Sequence, residues 1–476
     1  MANILPNIKH VVVVMLENRS FDTILGWLYP DGTAPGVMLP AGSSPHFDGV
    51  HADMSNPSKS GERIHVTREV SSFTMPSPAP QDRFANVNVQ LGLTDGGSAP
   101  SMQGFVLNYQ AVSDADPSQV MQCHSPAQLP VLSTLARAYA VCDAWFSSVP
   151  TDTLPNRAFA LAGTSNARVN DGMFDPFQWT MPTIFNVLSS IDASWNVYID
   201  SQRLPSVTRT TLPRLWDPLL SHHFKRLPEF SADCANGTLP QYSFIEPNFF
   251  SGATDQHPPH DMRAGEKLLY DVWTAVSTSP AWNETLMIVL YDEHGGCFDH
   301  VPPPSGALAP DARSAQGDPD TGFTFDRFGI RVPAVVISPY IAAGTVFRSP
   351  TDTPYDHTSI LSTLRDWLDI PAHKMLPSAR IAQAPTLEHV LTLKTPRDDL
   401  PQIAAPATNF APPPPDHPLH DLQKLFVSAL EHRFGLNRAA AAPAPSSPDA
   451  ASASPPMTTL QHALDFFTKH LPHLEP

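Results

Sequence analysis

Residues 8–22 read IKHVVVVMLENRSFD. Six apolar residues, Val11 to Leu16, run directly into Glu17, Asn18 and Arg19. An unbroken apolar run of this length fits a short strand buried on both faces, the kind that parallel sheets use. In such sheets ligands bind beyond the carboxyl ends of the strands. The junction at Glu17 therefore predicts an α/β fold and aims two oxygen-bearing side chains at the edge where parallel sheets carry their sites.

Working outward, similar runs recur at Trp195–Ile199, Tyr242–Ile245, Leu286–Tyr291 and Val332–Ser338. Helical patterns lie among them at Leu129–Tyr139, Pro182–Leu188, Gly265–Ser277 and Thr358–Leu368. Strands alternating with helices predict an α/β fold with a mostly parallel sheet. The Pro- and Gly-rich stretches 30–80 and 302–325 read as loop insertions over the sheet edge, forming a lid. The change in composition divides the chain into a main domain, 1–397, a Pro-rich linker, 398–418, and C-terminal helices, 419–476, interrupted by a disordered stretch, 438–456. Leu422, Leu425, Phe426, Ala429 and Leu430 form one apolar stripe, with Gly435 as the stop signal; Leu460, Ala463, Leu464 and Phe467 form another.

The 476 residues carry 29 basic and 46 acidic side chains, a net charge of −17. That balance excludes nucleic acid as a partner and electrostatic docking on anionic membranes. The 4 cysteines form no metal-binding spacing and read as buried thiols, with one disulfide left open. No apolar run approaches the roughly 18 residues of a membrane span. Without a signal-peptide core, the expectation is a cytoplasmic chain or an exported one stripped of its leader. Oligomeric state is not legible.

The run Leu286–Tyr291 ends in Asp292-Glu293-His294-Gly295-Gly296. Two strands delivering Glu17, Asn18, Asp292 and Glu293 to one edge stack three carboxylates, an arrangement that calls for a cation. All-oxygen ligands suit a hard divalent ion, and zinc is also compatible. Thr151-Asp152-Thr153-Leu154-Pro155-Asn156-Arg157 places a hydroxyl ahead of a helix opened by Pro155 and stopped by Gly163. There Thr153 is either a cap or a group in the field that binds phosphate, and Arg157 could clamp a phosphoryl oxygen. His257 and Asp261 in DQHPPHD, and His357 in DHTS, add polar groups at element ends.

Together IKHVVVVMLENRSFD, PTDTLPNRAFALAGTS, DQHPPHDMRAGEKLL, YDEHGGCFDHVPPP and YDHTSIL resemble the phosphoesterase family of bacterial phospholipases C and AcpA-type acid phosphatases, in the alkaline phosphatase superfamily. The resemblance implies a doubly wound, alkaline-phosphatase-like α/β domain, a mostly parallel central sheet with helices on both faces, and one divalent metal ion (zinc, calcium, magnesium or manganese) held by Glu17, Asn18, Thr153, Asp292 and Glu293. It implies Thr153 as nucleophile through a phosphothreonine, His257, Asp261 and His357 around the phosphoryl and leaving groups, and substrate contacts from Arg157 and His294. Asp82 stands where the family often has His or Glu, and is left outside the core site. The expected substrate is a small phosphate ester or a phospholipid. An acid-phosphatase-type monoesterase is slightly favoured, because the β-rich C-terminal repeats of many larger phospholipases are absent; the threonine pulls toward phospholipase C. An inactive metal-binding interaction protein is the alternative of another class.

Overall fold

The computed structural model describes residues 5–30, 33–93, 99–171, 175, 177–201, 203–410, 413, 415–434 and 458–470. The opening apolar run is strand β1 (His10–Leu16), with Val11 to Leu16 all buried. The other strands are β2 (Val37–Leu39), β3 (Ser55–Pro57), β4 (Arg63–His65), β5 (Ala140–Cys142), β6 (Trp195–Ile199), β7 (Phe224–Arg226), β8 (Tyr242–Glu246), β9 (Thr285–Tyr291), β10 (Ala334–Ile337) and β11 (Thr345–Phe347). They form a 9-stranded sheet in the order β2-β11-β5-β10-β9-β1-β8-β6-β7, plus a β3–β4 pair. β10 runs antiparallel to β5 and β9, and the other pairings in the large sheet are parallel. The mostly parallel α/β architecture expected from the run pattern is the one observed.

The expected helices appear at Pro130–Ala138, Ile184–Ser190, Met262–Ser277 and Thr358–Trp367. Residues 30–80 do more than cover the sheet, because β2 lies within them and extends its edge beside β11. All 4 cysteines are buried free thiols. No described helix is long and apolar enough to cross a membrane.

Register positions the site. Leu16 pairs with Tyr291, so Glu17 and Asp292 leave neighbouring strands side by side at one edge. β8 flanks β1 on its other side, and the Glu17 N–H donates to Asp255 O at 2.9 Å, drawing the loop after β8 to that edge. The helices Asp421–Phe434 and Leu460–His470 bury Leu422, Phe426, Leu430, Leu460, Ala463 and Phe467 against Leu204, Val207, Phe249 and Phe250. The two apolar stripes thus dock on the main body. Gly435 and the stretch 438–456 lie outside the described residues.

Candidate active site

Asn18 organises the edge. Its φ of 54° lies in the left-handed region, which Asn tolerates better than most side chains. Its N–H donates to Asp292 Oδ1 (3.0 Å), its Nδ2 to Asp82 Oδ2 (2.8 Å), and its Oδ1 accepts from Thr153 Oγ1 (3.1 Å). The threonine hydroxyl is thereby joined to acids from two distant segments. Gly295 makes room for this turn: a Cβ there would sit 2.2 Å from Asn18 O.

Thr153 is the first residue of the helix Thr153–Ala162, not a residue ahead of it, and Pro155 lies within the first turn. The Leu154 N–H donates to Asp171 Oδ1 (2.7 Å), so a distant carboxylate does the capping and the Thr153 hydroxyl remains directed at Asn18.

Carboxylates crowd the edge. Burial, then Asp292, Asp255 and Asp171, push the Glu17 carboxyl well up against the opposing pull of Arg157. Glu293 is raised by burial and by Asp82 and Asp292. Asp82 is pushed up to about 7 and Asp171 to about 8, each by burial and then by Asp421. Asp152 is raised by burial and by Asp171. Glu17 Oε2, Glu293 Oε1 and Asp171 Oδ2 are buried without a hydrogen-bond partner. Unmet buried carboxylate oxygens beside mutually repelling acids are what a cation would resolve, so the donor chemistry fits a divalent ion.

Four of the expected site residues have partners within the fold. Arg157, read as a phosphate clamp, donates instead from Nε to Asp292 Oδ2 (3.0 Å) and pairs with Glu17 Oε1 (3.1 Å), because it is the cation the acids find within the fold. His294 lies behind Glu293 with Nε2 against Gln90 Oε1 (2.7 Å), and burial lowers it to about 3. Asp261 caps the helix Met262–Ser277 and pairs with Arg263 at 2.6 Å, uses that satisfy its charge. His357 accepts from Trp145 Nε1 (3.3 Å) and so donates from Nε2 to Asp292 O (2.5 Å); burial lowers it to about 4. It holds the Asp292 backbone and has no free nitrogen for substrate.

His257 remains at the site, beside Glu17. Its Nδ1 is satisfied by Pro258 O, and burial followed by the neighbouring His260 holds the ring neutral. Among the described residues, three groups bring His or acid ligand atoms within 4.8 Å of one another: Glu17–His257–His420, Asp255–His260–His420 and Asp22–Asp299–His300. Glu17, Asp292 and Glu293 do not form such a group; the Arg157 guanidinium lies between the first two.

Asp152, Asp171, Asp255, His260, His420 and Asp421 join the neighbourhood without having been singled out. The sequence offered a signal for His260, paired with His257 across two prolines, and for Asp255, which opens the same motif. It offered none for His420 or Asp421, at the entry to the C-terminal helices.

Residues 8–371 match the family model described as Phosphoesterase. Non-specific phospholipase C6 of Arabidopsis thaliana is 35% identical over 405 residues, covering 83% of this chain and 74% of its own. Phospholipase C B of Mycobacterium tuberculosis is 28% identical over 407 residues, covering 77% of this chain and 74% of its own. A solved protein of the alkaline phosphatase superfamily from Vibrio parahaemolyticus overlaps 54% of this chain and 64% of its own at a TM-score of 0.33 and 13% identity.

Proposed function

This chain belongs to the Phosphoesterase family, and from that premise we propose that it is a phospholipase C, hydrolysing phospholipids on the glycerol side of phosphorus with Thr153 as nucleophile. The observation that carries the reading is the Thr153 Oγ1–Asn18–Asp292 connection, a hydroxyl in the first helical turn tied to a buried acid cluster. The plant and mycobacterial relatives named phospholipases C turn the balance from a monoesterase to a phospholipid substrate.

In the first step Thr153 Oγ bonds to phosphorus and the bond from phosphorus to the diacylglycerol oxygen breaks. His257 has an unprotonated Nε2 when Nδ1–H donates to Pro258 O. It takes the threonine proton and returns it to the leaving oxygen. In the second step water attacks the threonine ester, releases the phosphorylated headgroup and restores the hydroxyl, so that one hard displacement becomes two easier ones. Asn18 orients Oγ1 throughout, and the helix N-terminus favours the approaching anion. A divalent cation, for which Glu17 Oε2 and Glu293 Oε1 are the unmet oxygens, would supply charge neutralisation and a lowered hydroxyl pKa. Arg157 neutralises part of the same cluster.

A paired assay tests the reading: p-nitrophenylphosphorylcholine and phosphatidylcholine vesicles against p-nitrophenyl phosphate, each with and without chelator. Choline-ester turnover exceeding monoester turnover, with a phosphocholine-mass adduct on the Thr153 peptide after rapid quench, is the expected result. Preferential monoester turnover would assign an acid phosphatase. No hydrolysis of any ester with metal bound would assign the inactive interaction protein.

A further inference from the structure

The chain entering the helix Asp421–Phe434 crosses the histidine loop that follows β8. Leu419, Leu422 and Phe426 are buried with Phe249 and Phe250, Gln423 Nε2 donates to Phe249 O (2.5 Å), and Arg83 pairs with Asp421 (2.6 Å). These contacts seat His420 face to face with His257, ring centroids 3.9 Å apart, and edge-on to His260 at 5.9 Å.

Stacking accounts for the His420 ring but not for its nitrogens. Both are shut off from solvent and neither has a hydrogen-bond partner, a deficit of about 1–3 kcal/mol for a buried polar atom. A second unmet group lies close by. Asp255 is fully buried; its Oδ1 accepts from His257 N (3.0 Å) and meets His260 Nδ1 at 2.6 Å, while Oδ2 has no partner. One ligand atom from each of Asp255, His260 and His420 lies within 4.8 Å of the others.

We infer that Asp255, His260 and His420 bind a cation of the zinc class, which fastens the C-terminal helix to the rim of the catalytic cleft. Two imidazoles and one carboxylate suit a borderline ion, whereas the all-oxygen donors at the ends of β1 and β9 suit a hard one. Three protein ligands leave a fourth position for water. The ion takes the place of the hydrogen bond between His260 Nδ1 and Asp255 Oδ1, and the neutral ring then carries its proton on Nε2. His260 also lines a cavity of about 290 Å³ with Thr254, Asp261, Phe410 and Pro413, which gives the ion an entry route. The neighbouring triple, Glu17–His257–His420, shares the same histidine, but Glu17 is already paired with Arg157 and His257 Nδ1 with Pro258 O.

The test uses the full chain dialysed against zinc chloride and read by elemental analysis. His420→Ala and His260→Gln are each expected to bind one zinc fewer than wild type, and His257→Gln to keep it. Chymotryptic cleavage after Phe410 should slow with zinc in wild type and not in His420→Ala. Equal zinc content in wild type, His420→Ala and His260→Gln would overturn the site. Loss in His257→Gln with retention in His260→Gln would overturn its assignment to Asp255 and His260. Should the variants misfold, cobalt(II) added to the wild-type chain decides: a visible band of nitrogen-ligated tetrahedral cobalt is expected, and it would not appear if water alone satisfied these groups.

Discussion

The two acidic motifs, ENRSFD and DEHGGCFDH, each supply two regions of the molecule, and the regions differ in how their charges are met. Asp22 and Asp299 converge on Arg331, whose NH2 donates to Asp22 Oδ1 (2.8 Å) and whose Nε donates to Asp299 Oδ1 (2.9 Å). Arg331 NH1 donates to the carbonyls of Asp48 and Asp143, and its guanidinium lies 4.5 Å from the Phe21 ring centroid. His300 closes the network against Asp22 (2.7 Å) and Asp48 (3.1 Å). These acids could group around a metal, but a guanidinium already fills that place. Glu17, Asp292 and Glu293, from the same motifs, have only Arg157 among them and leave carboxylate oxygens unmet. A buried acid with its counter-charge built in holds the fold; one left without it is available to a ligand.

The largest effect that tests this contrast is catalytic. Thr153→Ala should reduce turnover by about 10²–10³-fold or more, the scale of a major transition-state contributor, with the unfolding midpoint near wild type. A rate close to wild type would remove the acidic edge from the chemistry. Arg331→Met should cost about 3–5 kcal/mol in denaturant unfolding, because it strands two buried carboxylates. A loss below about 1 kcal/mol, the range of an exposed pair, would mean the satisfied network is no more structural than the surface. Glu293→Gln should lower turnover by about 10²-fold without lowering the stability of chelator-treated protein at pH 8, since it removes a charge that the fold leaves unmet. Destabilisation on the scale of Arg331→Met would erase the distinction.

The smallest effect is in pH dependence. Asp82 near 7 and Asp171 near 8 lie above their ordinary 3.8. Between about pH 4 and 8 the folded chain holds protons that the unfolded chain has released, so their stability contribution is complete below 3.8 and lost as pH rises through the folded values. Melting temperature of chelator-treated protein should fall across that window, and a divalent cation should flatten the fall. Burial opposes protonation of His300, but Asp22 and Asp48 raise it to about 10 from 6.5. Its contribution is complete below 6.5 and lost toward 10, and His300→Gln should remove that later slope alone. A metal-insensitive slope in the acid window would separate those carboxyls from the cation.

Much of this was legible before any coordinates. Val11–Leu16 could be only a buried strand, and strand-end acids in two such runs pointed to one edge. Less legible are the partners of residues that have more than one use. Asp261 looked like a site residue, yet it sits where an acid caps a helix and meets Arg263 two positions on. Arg157 reads as an anion clamp, yet in the fold it pairs with Glu17 and Asp292. Asp82 was set aside for departing from a motif, though its carboxylate accepts directly from Asn18. His420 was invisible because nothing local distinguishes it; only the docking of a distant apolar stripe on Phe249 and Phe250 carries it over His257.

From its sequence alone the chain fixed what periodicity and motif spacing encode: a mostly parallel sheet, a hydroxyl at a helix start, acids at the ends of two strands, and membership of a phosphoesterase family. Only the tertiary structure decided which acid meets which cation, which histidine keeps a free nitrogen, and that the C-terminal helix reaches the site. The reason is range. Strand and helix patterns are set by neighbours along the chain, whereas a buried charge takes its role from whatever folding brings within a few ångströms.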